Sequence, residues 1–181
     1  MMPTMRRALL IILVFTAYWI VLPSVFIVLG WRLDRVLGFA PLGGTLRIAG
    51  CTVCFTLGAV IVLLSVHALW RRGGGIPLSW IRPPDRLVDS GPFRLWRHPI
   101  YVGLTLIVGG IGFAAGSIGV VLFSTTLFVL LWLIWAIVYE EPALRRRFGA
   151  AYAEYERGVA RVFPKGIGKS GSATRTLNDQ G

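Results

Sequence analysis

Four apolar runs govern what this chain can fold into. They span about residues 8–29, 46–70, 100–115 and 118–139, each near the ~20 residues a helix needs to cross a bilayer. Pro23 interrupts the first run, where a kink is tolerated if neighbouring helices satisfy the freed carbonyl. Only Gly116 and Ser117 separate the third and fourth runs, so the two form a tight hairpin. Composition supports a membrane class: 55% of the 181 residues are hydrophobic and 15% charged, against roughly 45–50% and about 25% in soluble domains. So few charges cannot solvate a globular surface. An ordinary soluble enzyme, a disordered chain and a disulfide scaffold are all excluded on that ground.

The net charge of +11 would ordinarily point to nucleic acid. Its distribution points elsewhere. Four crossings place the N-terminus, the 71–97 loop and the C-terminal tail on one side, with sixteen Lys and Arg residues, against Arg32, Arg35 and Arg47 on the other. That asymmetry puts both termini in the cytoplasm and makes the charge a mark of topology rather than of nucleic-acid binding. Arg6 and Arg7 before the first run resemble a signal peptide, but no small-residue cleavage site follows and an uncleaved anchor is expected. The 17 Arg to 2 Lys bias fits a GC-rich bacterial genome, hence a bacterial inner membrane.

Beyond the fourth run, Pro142 opens a segment with Leu144, Phe148, Tyr152, Tyr155 and Val159 on one helical face. The spacing predicts an interfacial amphipathic helix over about 142–158, with proline in its first turn. The expected architecture is all-α: an integral membrane bundle of four transmembrane helices with a C-terminal cytoplasmic amphipathic helix. It forms one domain over 1–164 with a flexible polar tail over 165–181. Glycine-rich spacing in the third run (Gly109, Gly110, Gly112, Gly116) and the small residues Gly50, Cys54 and Gly58 in the second read as close-packing faces; room opened for a cofactor is a second reading of Gly109 and Gly110. Cys51 and Cys54, without further ligands, read as packing residues, and no metal site is expected. His67 stands alone and reads as an interfacial histidine.

Two cytoplasmic features carry chemistry. Glu140 and Glu141 sit where the fourth run meets the basic face; they either cap and pair locally or bind a cationic or hydroxyl-bearing ligand. The 71–97 loop interleaves arginines with Trp80, Phe93, Leu95 and Trp96 and ends at His98-Pro99, with Tyr101 one turn further in. That pattern alone also fits an interfacial aromatic belt.

The stretch Leu87-Val88, Gly91-Pro92-Phe93 and Arg97-His98-Pro99-Ile100-Tyr101-Val102-Gly103 resembles the signature of the isoprenylcysteine carboxyl methyltransferase and phospholipid methyltransferase group. Glu140-Glu141, Phe148-Gly149, Tyr152, Tyr155 and Val162-Phe163-Pro164 resemble its C-terminal signature. The resemblance covers about residues 85–164. It implies an S-adenosylmethionine-dependent methyltransferase acting on a lipidic or small apolar acceptor (carboxylate, amine or thiol) drawn from the bilayer. It also implies cofactor contacts at Arg86, Leu87, Val88, Phe93, His98, Pro99, Ile100, Tyr101 and Glu140. Glu141 matches the second acid and, with Tyr139, is the nearest group to serve as a base. Phe93 stands where the group often has tyrosine, and Ala136 stands where the prenylcysteine enzymes carry a carboxylate-binding arginine. Sterol reductases, which use a reduced nicotinamide cofactor, are similar in the same C-terminal region but larger. A non-catalytic interaction protein on the same scaffold is the third reading.

Overall fold

The computed structural model describes Leu13 and residues 16–74 and 85–162. The start of the first apolar run with Arg6 and Arg7, the loop from Gly75 to Pro84, and Phe163 onward with the 165–181 tail lie outside the described residues. Those that are described form helices, with no strand among them and a single isolated bridge between Trp96 and Ala160. A π-helical turn, Ala17–Val21, leads into α1, Leu22–Leu37. There follow α2, Gly44–Gly73, and α3, Pro99–Ala115. Then come α4, Val120–Phe148, and α5, Ala150–Gly158.

Two of these, α2 and α4, are long and apolar enough to cross a membrane. The most apolar window of α2 is only 11% buried, with Val53, Leu57, Leu63 and Leu64 exposed. A soluble core helix would bury such residues; these face lipid. Among the described residues the protein is thus all-helical, with two helices of a length and apolarity that suit a membrane. The third run expected from sequence corresponds to α3, which has 17 residues, or about 26 Å at ~1.5 Å per residue.

Pro23 and Pro142 each sit just after a widened turn. The Leu22 N–H reaches back to the Ala17 carbonyl ahead of Pro23, and the Glu141 N–H reaches the Ala136 carbonyl ahead of Pro142. Spreading the turn makes room for the pyrrolidine ring and for the carbonyl it leaves unpaired. This corrects the helix expected to begin at Pro142. The fourth helix passes through that proline to Phe148, and the break falls instead at Gly149, whose φ of 53° and ψ of −126° suit glycine alone.

The helices meet in the order α1 against α4, α4 against α3, and α3 against α2. Small residues set the closeness of these contacts. A Cβ built on Gly58 would lie 2.7 Å from the Gly103 carbonyl oxygen, and one on Gly103 would lie 2.8 Å from the Gly58 carbonyl oxygen. Gly50 likewise faces the Phe113 ring and Gly110 faces Cys54. The Gly50, Cys54, Gly58 face read from the sequence is thus the α2–α3 contact. At one end of the bundle the two turns are joined: the Gly119 N–H donates to Asp34 Oδ1 at 2.7 Å, and Arg47 donates to the Ala114 carbonyl at 2.7 Å.

At the opposite end a buried ion cluster fastens α5 and the segment after it. Glu141 has no exposure. Arg161 grips both of its oxygens at 2.7 Å; Arg145 lies 3.3 Å from Oε2 and Arg97 3.5 Å from Oε1. Arg97 also donates to the Val159 carbonyl at 2.8 Å and to Glu156 Oε1 at 3.1 Å. Burial alone would push the Glu141 carboxyl up. Hydrogen bonds from His98 and Arg161, with the Arg161 charge, outweigh that and hold it well below the usual carboxylate range.

Two outcomes follow from this packing. Gly103→Leu drives a side chain into the α2 backbone and lowers stability by about 1–3 kcal/mol, whereas Gly43→Ala, with nothing within 4 Å of the added carbon, leaves the melting temperature unchanged in detergent. Glu141→Gln strips the charge from the buried cluster and costs about 3–5 kcal/mol. Because the folded carboxyl titrates below its ordinary value of 4.5, its stabilisation is whole above that pH and drains away as pH falls beneath it. Melting temperatures from pH 7 downward should drop more steeply below pH ~4.5 in the unsubstituted protein than in Glu141→Gln; equal slopes would contradict the assignment.

Candidate functional site

A cavity of about 80 Å³ opens at the end of the bundle that carries the ion cluster. One wall is the 87–93 segment, in which Val88 and Phe93 are buried against Ala68 at the end of α2. The first turn of α3 supplies His98, Pro99, Ile100 and Tyr101, and the last turns of α4 supply Glu140, Leu144 and Phe148. From above, α5 contributes Tyr152 and Tyr155. The Tyr155 hydroxyl donates to the Phe93 carbonyl at 2.7 Å and so ties α5 to the first wall.

Polar groups converge at the junction of α3 and α4. The Tyr101 hydroxyl donates to Glu140 Oε2 at 2.7 Å. His98, 4% exposed, stands between the two acids: Nδ1 is 3.5 Å from Glu140 Oε2 and Nε2 is 3.5 Å from Glu141 Oε1. Whichever tautomer the ring takes, its N–H has a carboxylate to face. Adjacent positions on a helix point about 100° apart, which sends Glu140 to the cavity and Glu141 into the ion cluster. His98 bridges that divergence. Aromatic rings brace the junction: Tyr101 stacks on His98 with centroids 5.6 Å apart and on Trp19 at 4.8 Å.

Of the residues singled out from sequence, Leu87, Val88, Phe93, His98, Pro99, Ile100, Tyr101 and Glu140 come together on this one lining. Arg86 and Glu141 do not. Arg86 is exposed, its amide directed to the Gly73 carbonyl at 3.4 Å. Both Glu141 oxygens are occupied by Arg161 and its neighbours, which leaves no geometric basis for the proton-accepting part. The Tyr139 side chain is 61% exposed and is not on the lining either. Sequence reasoning passed over Leu69, Arg97, Leu144, Phe148, Tyr152 and Tyr155 as lining residues. The last four sit on the apolar face already visible in the helical spacing, which was the signal available.

The lining is mostly apolar and aromatic, with the Glu140 carboxylate, the Arg97 guanidinium and the His98 imidazole among it. Such a lining suits a planar ring attached to hydroxyl or ammonium groups.

Comparison with known proteins identifies a family. The model of the phospholipid methyltransferase family matches residues 46–151, more than half of the chain. A phosphatidyl-N-methylethanolamine N-methyltransferase of Emericella nidulans is 31% identical over 107 residues, 59% of this chain and 50% of that protein. The cobalt-zinc-cadmium resistance protein CzcN of Cupriavidus metallidurans is 31% identical over 124 residues, 68% of this chain and 55% of that protein. The chain spans about half the length of these curated relatives. With the family match running from α2 through the start of α5 and taking in the whole α3–α4 junction, the chain belongs to the phospholipid methyltransferase family.

Proposed function

We propose that this protein is an integral membrane methyltransferase that uses S-adenosylmethionine and methylates a lipidic or small apolar acceptor reached from the bilayer. The observation that carries this reading is the gathering of His98, Tyr101 and Glu140 with the apolar Leu87, Val88 and Phe93 on one cavity at the polar end of a lipid-facing bundle. When bound, the donor supplies a methyl group on a positively charged sulfur, and transfer is an in-line displacement that discharges it.

The chain's own task is alignment and exclusion of water. Val88, Phe93 and Leu144 flank a planar base. Glu140, oriented by the Tyr101 hydroxyl and His98, accepts hydrogen bonds from hydroxyl or ammonium groups. Glu141 acts as a positioning residue that holds His98 and Arg97. A carboxylate acceptor needs no base. An amine or thiol acceptor must lose a proton, and Glu140 is the carboxylate on the cavity lining. The name of the Emericella relative puts an N-methylethanolamine phospholipid first among acceptors to test. Four crossings with both termini in the cytoplasm of a bacterial inner membrane complete the reading, since a cytosolic donor then meets the cavity directly.

Calorimetry on purified protein in detergent should show S-adenosylhomocysteine binding. Glu140→Ala and His98→Ala should each weaken it about ten- to a hundredfold, the effect of losing a hydrogen bond to a charged group. Labelled methyl donor added to membranes containing ethanolamine and N-methylethanolamine phospholipids should label a lipid. Folded protein that binds no S-adenosylhomocysteine and labels nothing would overturn the reading. Topology has its own check: with Cys51 and Cys54 replaced by alanine, single cysteines at Phe39 and Arg94 should react with impermeant thiol reagents from opposite sides of the membrane.

A further inference from the structure

Tyr152 is 1% exposed, and its hydroxyl is the buried side-chain polar atom that lacks a hydrogen-bond partner among the described residues. A phenol closed off in this way is costly, and phenylalanine would fill the same space without that cost. The helix is not short of ways to place a tyrosine hydroxyl: one turn on, Tyr155 donates to the Phe93 carbonyl at 2.7 Å. Acceptors near Tyr152 are already committed. Glu141 is held by Arg161, Arg145, Arg97 and His98. Glu156 takes hydrogen bonds from Arg97 and from Arg145, the latter at 2.6 and 3.0 Å. Burial, then the charges of Glu141 and Glu156, push the Tyr152 phenol up from its ordinary value. It remains a proton donor with no atom to donate to among the described residues, and its residue lines the cavity.

We propose that the Tyr152 hydroxyl is a binding group for the methyl donor, donating to an oxygen or nitrogen of the S-adenosyl molecule seated in the cavity. This rests on the cofactor reading above and adds to it a contact from α5, beyond the end of the family match at residue 151. Gly149 is the joint between α4 and α5.

Tyr152→Phe tests the assignment because a structural hydroxyl and a ligand-binding one respond in opposite ways. Melting temperature without ligand and S-adenosylhomocysteine affinity by calorimetry are measured for the unsubstituted protein, Tyr152→Phe and Tyr155→Phe in the same detergent. The expected result is an unchanged or higher ligand-free melting temperature for Tyr152→Phe, with affinity weakened about three- to tenfold, the effect of one hydrogen bond. Tyr155→Phe, which loses an existing bond, should melt lower. Equal affinity for Tyr152→Phe and the unsubstituted protein overturns the role of Tyr152 alone. A lower ligand-free melting temperature for Tyr152→Phe also overturns it, because the hydroxyl would then be serving the empty protein through an internal water or a protein atom. No binding by the unsubstituted protein overturns the cofactor reading and this contact with it.

Discussion

Glu141 is a fully buried carboxylate at the end of an apolar helix, and the polar end of the molecule is organised around keeping it charged. A lone carboxylate in such surroundings would give up its charge to a proton. Arg161 grips it with two parallel hydrogen bonds, the geometry in which guanidinium and carboxylate match best. Removing two opposite charges from water is itself costly, and the balance turns favourable only when the remaining lone pairs are filled. Arg97, Arg145 and His98 fill them. The consequence is mechanical. Arg97 precedes α3, Arg145 rides on α4, and Arg161 follows α5, so a single anion draws three chain segments to one point.

That convergence fixes the neighbouring acid. Glu140 points away from Glu141 around the helix, and His98 contacts both. Holding Glu141 therefore holds the imidazole, and the imidazole with the Tyr101 hydroxyl holds Glu140 at the cavity. The π-helical turn over Ala136–Glu140 places this pair and accommodates Pro142 at the same time. Without the widened turn, proline would break the helix before its last two turns, and Leu144 and Phe148 would not reach the lining.

Much of this was legible in the chain. Apolar length and scarce charge gave the membrane class, small residues four apart marked the α2–α3 contact, and the His98–Tyr101 and Glu140 stretches singled out in the sequence line one cavity. What was not legible has physical causes. Pro142 was read as a helix start because proline favours first turns; a widened turn that absorbs it leaves no periodic trace. Arg161 lies twenty residues from Glu141 with a chain reversal between them, so no helical spacing connects them. The glutamates are adjacent in sequence, yet their division between cavity and ion cluster depends on the angle at which α4 meets α3. The orphaned Tyr152 hydroxyl is a property of packing alone.

The first helix carries the argument furthest from the family pattern. The family match begins at residue 46, after α1 has ended, yet α1 is bound tightly to the matched region. Ser124 donates to the Phe26 carbonyl at 2.6 Å, and Asp34 receives the Gly119 N–H. The turn ahead of α1 presents Trp19 flat against Tyr101 and Tyr18 against Trp135. Stacking of this kind is worth about 0.5–1.5 kcal/mol beyond the area it buries. Tyr101 is the residue that hydrogen-bonds Glu140, so the position of the cavity carboxylate depends on an indole from outside the family match. An apolar first helix could pass for a bare membrane anchor; here it buttresses the site through the Trp19–Tyr101 stack.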